Sequence, residues 1–136
     1  MSKVFPAPTV EMADMLSGNI SYFKEWGEDA LRGWVQWFVD KGRYLAVSSD
    51  GKLSGITLFR MVGSAEDCHE HYRDTGGDIC YVEASVSRHP NGLRAMYDIL
   101  WHGCGKDASK MAWVRHKHNN RLVMVDMKRA KRRFMR

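Results

Sequence analysis

Residues 78–103, DICYVEASVSRHPNGLRAMYDILWHG, decide the fold, because their hydrophobic pattern changes period midway. Ile79, Tyr81 and Val82 open an extended run that reaches Val86, rich in the β-branched and aromatic side chains that suit a pleated, half-buried surface. Pro90 stops helix before it, and Asn91-Gly92 brings turn chemistry. Leu93, Met96, Tyr97, Leu100 and Trp101 then recur at i, i+3, i+4, i+7 and i+8, which predicts a helix over 92–103. A strand that feeds a helix through a short loop leaves backbone N–H groups free at the helix start, where an anion is favoured. The same arrangement serves equally as a plain connection inside an α/β core.

Upstream, KVFPAP at residues 3–8 allows a very short edge strand before the prolines end it. Val10 to Leu16 reads as a first helix, and Glu28 to Lys41 as a second, with Leu31, Trp34, Val35 and Phe38 on one face. Trp26, Trp34 and Trp37 gather near this helix and read as large core or groove-lining surface. Arg43 to Arg60 is the clearest hairpin: YLAVSS, then Asp50-Gly51, then KLSGITLFRMV, with strands over 44–49 and 53–62. Gly55 inside the second strand points to a bulge or a close approach. GSAEDCHEHYRDTGG, residues 63–77, reads as an exposed connection with a helical turn around Ala65 to Tyr72.

Downstream, KMAWVRH over 110–116 is a further strand. His118-Asn119-Asn120 reads as the cap of a final basic helix over 121–136, with Val123, Met127, Ala130 and Phe134 at helical spacing. Strands 79–87 and 110–116, joined by a helix, are expected to run parallel through a right-handed crossover. The reading is a single α+β domain over residues 1–136: a mixed sheet, in which an antiparallel hairpin leads into two parallel strands, flanked by helices.

Composition narrows the function. A chain of 136 residues with 44% hydrophobic content can build a core and is not disordered throughout. No apolar run approaches the roughly 20 residues that span a bilayer, and MSKVFPAPTVEM holds no signal-peptide hydrophobic region. The expectation is a cytoplasmic protein with no membrane partner. Cys68, Cys80 and Cys104 form no CxxC pair, which speaks for free thiols in a reducing compartment. Cys68, His69 and His71 share one loop and His116 and His118 lie elsewhere, without the spacing of a metal site, so no metal is expected. The net charge of +5 is uneven: from Lys106 onward eleven Lys/Arg face two Asp, a balance of +9, and residues 1–105 carry −4. That basic end suits a polyanion and equally a solvated helix face.

The order of these elements resembles the GNAT family of N-acetyltransferases. YLAVSSDGKLSGITLFRMV looks like that family's second and third strands, and CYVEASVSRHPNGLRAMYDIL like its acetyl-CoA-binding strand, loop and helix. WVRHKHNNRLVMVDMKRA looks like the next strand and helix, with Asn120 where the family often places an Asn near the cofactor. The resemblance implies transfer of an acetyl group from acetyl-CoA to an amine. Backbone at Val82, Ala84 and Val86 would then hold the pantetheine arm. Arg88, Asn91, Gly92, Leu93 and Arg94 would hold the pyrophosphate.

A base must take the proton from the attacking ammonium, and Glu83 is the leading candidate, ahead of Cys80 and Ser85; the alternative for Glu83 is a paired surface carboxylate. The loop departs from the family's Arg/Gln-x-x-Gly-x-Gly/Ala: Arg88-His89-Pro90-Asn91-Gly92-Leu93 keeps one glycine, and Pro90 lacks an N–H. No Tyr stands in the final segment to serve as general acid. Small, truncated GNAT-like proteins of bacteriophages look similar, which would place the chain in a host cytoplasm or a virion. The rival reading is a catalytically inactive phage protein, structural or host-directed. It would bind a protein or nucleic acid through Lys128, Arg129, Arg132 and Arg133.

Overall fold

The structure, a computed structural model, describes residues 3–4, 9–88, 108–115 and 121–129. Along the chain run β1 (Lys3–Val4), α1 (Thr9–Asn19), α2 (Ser21–Lys24), α3 (Glu28–Lys41), β2 (Tyr44–Ser49) and β3 (Lys52–Val62). They are followed by α4 (Ala65–Cys68), β4 (Ile79–Ser87), β5 (Lys110–Arg115) and β6 (Arg121–Asp126). The strands form one sheet in the order β1-β2-β3-β4-β5-β6. β1, β2 and β3 are antiparallel neighbours, and β4 and β5 are parallel, as the strand-helix-strand pattern predicts. The parallel ladder runs from Ile79↔Lys110 to Tyr81↔Ala112. The expected helix 92–103 lies outside the described residues.

Two compact units share β3 and β4. The first takes in Met1–Leu58 and Ala84–Met96. Its α3 forms where the periodicity requires: Leu31, Trp34, Val35 and Phe38 are buried, Glu28 and Asp29 meet the positive end of the helix dipole, and Lys41 the negative end. Gly42 closes the helix in the left-handed region, φ 69°, where Arg43 N–H reaches Phe38 O at 2.9 Å. Phe23, Trp26, Trp34, Phe38 and Trp37 form a chain of ring contacts with centroids 4.9–5.3 Å apart, so the tryptophans are packing surface. Met12, Leu16, Val35 and Phe38 join Ile56, Leu58, Ala84 and Val86 in one buried cluster, each large side chain contributing about 1.5–3 kcal/mol.

The β2–β3 hairpin turns at Asp50 (φ 55°) and Gly51 (φ 78°), both positive, as a two-residue primed turn needs. The register slips between Val47↔Gly55 and Ser48↔Leu53, which leaves Ser54 as an extra residue beside Gly55. That is a β-bulge, held by Ser54 Oγ donating to Val47 O at 3.2 Å.

The second unit comprises Phe59–Glu83 and Tyr97–Arg136. Val62, Cys68, Ile79, Tyr81 and Ala112 are its buried cluster, with Val114, Leu122 and Met124 packed against it. One expectation fails here. Residues 121–126 are not the start of a basic helix; they are β6, antiparallel to β5 from Lys110↔Asp126 to Arg115↔Arg121. Leu122 to Val125 is an unbroken apolar run, and pairing with the open edge of β5 outweighs a helical spacing that rested on isolated positions. The likeness of WVRHKHNNRLVMVDMKRA to a strand followed by a helix is corrected accordingly: it is a strand followed by a strand. Helical backbone begins only at 127–129. Asn120, the expected cap, lies outside the described residues.

Gly77 provides a test of this packing. A Cβ there would run into Val62 O and sit 2.6 Å from Gly63 N, both backbone atoms that cannot swing aside. Gly77→Ala should cost about 1–3 kcal/mol in urea denaturation. Gly63→Ala, whose nearest atoms lie at 3.7 and 3.8 Å, should stay within about 0.5 kcal/mol. Equal midpoints for the two variants would contradict the packing described.

Candidate functional site

β3 is buried from Leu53 to Val62, and within that run stands Arg60, only 1% exposed. A guanidinium out of water must have its donors met, or it costs several kcal/mol. Nε donates to Glu83 Oε1 at 2.6 Å. Nη1 donates to Glu70 O at 2.6 Å and shares its protons with Arg73 O at 3.0 Å and Asp67 O at 3.1 Å. Nη2 donates to Cys68 O at 2.7 Å, and the guanidinium carbon lies 4.9 Å from the Tyr81 ring centroid. The segment 67–73 is therefore wrapped on one cation.

Local chemistry supports that wrap. Ser64 caps α4, accepting from Asp67 N–H at 3.3 Å. Arg73 Nε meets Asp67 Oδ1 at 3.2 Å, and this hydrogen bond holds the Asp67 carboxyl below the usual range. Asp74 accepts from Met61 N–H and Gly76 N–H, and Thr75 N–H bonds Met61 O at 2.9 Å. The connection expected to be exposed, with a helical turn from Ala65, has that turn at Ala65–Cys68 and exposes His69 and His71, and it is laced by these bonds.

Glu83 sits on β4 with its side chain 15% exposed. Arg60 fixes Oε1; among the described residues nothing bonds Oε2. Burial pushes the carboxyl above its usual range, while Arg60 and, more weakly, His71 draw it back. The result is an oriented carboxylate with one oxygen tied and, among the described residues, one available, its proton held more firmly than that of an ordinary glutamate.

Cys68 is no rival as a nucleophile. Burial pushes its thiol up, and Sγ donates to Ser64 O at 3.6 Å. Cys80 is fully buried, and Ser85 Oγ is engaged with Thr57 Oγ1 at 2.9 Å.

Of the residues singled out by sequence, the structure pairs Glu83 with a partner that the sequence reading passed over. The signal for Arg60 was a lone arginine inside the apolar strand ITLFRMV, which only a buried acceptor set can satisfy. Val82, Ala84 and Val86 are buried, so what they offer a ligand is backbone. Arg88 is exposed, with its backbone N–H anchored to Ser54 O at 2.8 Å. Asn91, Gly92, Leu93, Arg94, Asn120, Arg132 and Arg133 lie outside the described residues. Lys128 and Arg129 are exposed.

No protein-family model matches the chain, and no curated protein matches it. Among solved structures it is similar to PH1933 from Pyrococcus horikoshii OT3, with a TM-score of 0.61 and 13% identity over 85% of this chain and 78% of that one. It is also similar to an acetyltransferase of the GNAT family from Listeria monocytogenes 4b F2365, with a TM-score of 0.52 and 13% identity over 98% of this chain and 84% of that one. At such identity the likeness shows the fold, which is GNAT-like.

Arg60→Met should lower stability by about 3–5 kcal/mol, because it strands a buried carboxylate and frees four carbonyls at once. Hydrogen exchange in 67–76 should accelerate with it, and Arg60→Lys, a point charge without the fork, should restore only part. A loss below about 1 kcal/mol would show that the loop does not depend on this cation.

The raised Glu83 carboxyl also predicts a pH effect. The folded chain holds that proton more tightly than the unfolded chain, so the stability it contributes is present below the ordinary glutamate value. It is lost as pH rises through the folded value. Glu83→Gln should flatten that decline, read as denaturation midpoint against pH; an unchanged slope would contradict the raised value.

Proposed function

We propose that this protein transfers an acetyl group from acetyl-CoA to an amine, with Glu83 as the general base. The observation that carries the reading is Glu83 itself, a largely buried carboxylate with one oxygen aligned by Arg60 and the other without a bond among the described residues. An amine reaches a protein as ammonium and must lose a proton before it can attack. Glu83 Oε2 takes that proton, directly or through a water. Arg60 keeps the acid oriented throughout. As the amide C–N bond forms and the thioester C–S bond breaks, the CoA thiolate leaves and takes up the proton through solvent, which returns Glu83 to its charged, paired form beside Arg60.

Acetyl-CoA, when bound, supplies the activated thioester acyl group. The residues of β4 suit an extended, amide-bearing arm. The paired register with β5 stops at Tyr81, while β4 continues to Ser87. Val82, Ala84 and Val86 turn their side chains inward, so the backbone is what remains to bind. Arg88, at the end of this strand with an exposed side chain and an anchored backbone, is the cation for the pyrophosphate. Asn91, Gly92, Leu93 and Arg94 complete the cradle in this proposal.

The rival, a catalytically silent binding module, draws on a different observation. β6 occupies 121–126, where acyl transfer by the expected layout called for a helix led by Asn120. In that reading the exposed Lys128 and Arg129, with Arg132 and Arg133, hold a phosphate backbone or an acidic protein, and affinity falls steeply with salt.

Calorimetry with acetyl-CoA separates the two. Binding should be measurable at micromolar to millimolar concentration, and Gly92→Glu should abolish it by placing a carboxylate where the pyrophosphate belongs. Glu83→Gln should keep acetyl-CoA affinity and lower turnover of an amine acceptor about 100-fold or more. No acetyl-CoA binding at millimolar concentration by the wild type sinks the enzyme reading.

A further inference from the structure

A cleft of ≈ 190 Å³ opens among α1, α2 and the start of α3, in the first unit and apart from Glu83 in sequence. Its apolar floor is Ala13, Phe23 and Leu31, all buried. Its rim carries Asp14, Lys24, Glu28 and Arg32, two charges of each sign. Among the described residues Asp14 and Lys24 have no ion-pair partner. Arg32 and Glu28 meet only at 3.7 Å, with side chains 38% and 80% exposed, a contact of little worth. Arg32 Nε is shielded from solvent and donates to nothing among the described residues. A guanidinium held this loosely, with an unmet donor, can turn toward a bound carboxylate.

These features select a ligand by exclusion. A phosphate-rich anion would face two carboxylates, and a polycation two cations. A wholly apolar molecule would strip water from four charges with nothing in return. The volume is below the roughly 300–1,000 Å³ of pockets for drug-sized ligands, so the occupant is small. A short molecule with an ammonium, a carboxylate and a hydrocarbon portion meets Asp14, Lys24, Arg32 and the apolar floor, and leaves Glu28, 80% exposed, to water.

We propose that this cleft binds a small zwitterion of the amino-acid class, its ammonium on Asp14, its carboxylate on Lys24 and Arg32, and its hydrocarbon against Phe23 and Leu31. The site stands independently of acyl transfer and would exist even if Glu83 did nothing.

The test is calorimetry and thermal shift on the full chain with L-leucine and 4-aminobutanoate. N-acetyl-L-leucine, which lacks the ammonium, and L-leucinamide, which lacks the carboxylate, are the matched controls. At least one zwitterion should bind at low-millimolar concentration or tighter, with the control derivatives of L-leucine about tenfold weaker than L-leucine if it is that ligand. Asp14→Asn and Lys24→Gln, both at exposed positions that leave the core intact, should each weaken the zwitterion about tenfold or more. Asp14→Asn should leave N-acetyl-L-leucine unchanged, and Lys24→Gln should leave L-leucinamide unchanged. The proposal is overturned by no binding of either zwitterion at about 10 mM. Where L-leucine binds, it is overturned equally by controls that bind as well as L-leucine, and in either case by zwitterion affinities indifferent to both substitutions.

Discussion

A cation placed inside an apolar strand sets the terms for everything near it. Arg60 cannot lose its proton at any accessible pH, so the chain must surround it with acceptors or leave the strand exposed. Four backbone carbonyls and one carboxylate supply them. The carbonyls come from a polar stretch without apolar periodicity, ordered besides by the Ser64 cap and the Arg73–Asp67 pair. Their order is borrowed in part from the guanidinium. Replacing the pair by hydrophobic side chains of like volume could match its stability, since buried ion pairs seldom add net stabilisation. Such a swap would lose the specific path of the loop and the specific aim of Glu83.

The central strands serve two cores by alternation and by length. Ala84 and Val86 on β4 belong to the cluster with α1 and α3, whereas Ile79 and Tyr81 belong to the cluster with α4 and β5. Glu83 lies at the changeover, the one acid in a strand otherwise apolar or small. On β3 the bulge at Ser54 adds one residue to the strand, and a one-residue change of register reverses which side chains face which layer. β3 is buried from Leu53 to Val62 on both faces, so Arg60 must find its partners within the protein.

Local rules read the strongest signals correctly. Asp50-Gly51 placed the hairpin, the stripe Leu31-Trp34-Val35-Phe38 placed α3 to the residue, and the strand pattern on either side of the 92–103 segment foretold parallel pairing of β4 with β5. These depend on turn chemistry and periodicity, which a single chain carries in full. What was missed depends on partners. Residues 121–126 have a weak helical spacing and an equally good extended one, and only the open edge of β5 decides between them. Asn119-Asn120 between two apolar runs was a hairpin signal as much as a helix cap. Within the candidate site, Glu83 was visible as the one acid of β4. Its partner Arg60, more than twenty positions earlier in the chain, was not, because the value of a buried arginine is set by acceptors distant in sequence.

The pairing also sharpens what Glu83 could do as a base. A carboxylate bonded through both oxygens is stabilised as an anion and makes a poor proton acceptor; a carboxylate in an apolar pocket with no partner protonates and has nothing left to accept. Glu83 lies between these limits. Burial lifts its proton affinity, Arg60 draws it back, and among the described residues Oε2 is left with a lone pair available. The charge of His71, an exposed residue of the same loop, lowers the same carboxyl more weakly. Each of these effects acts through the loop that Arg60 holds. The chemistry of the site and the folding of residues 67–73 are therefore one property, and a change that loosens the loop changes the base with it.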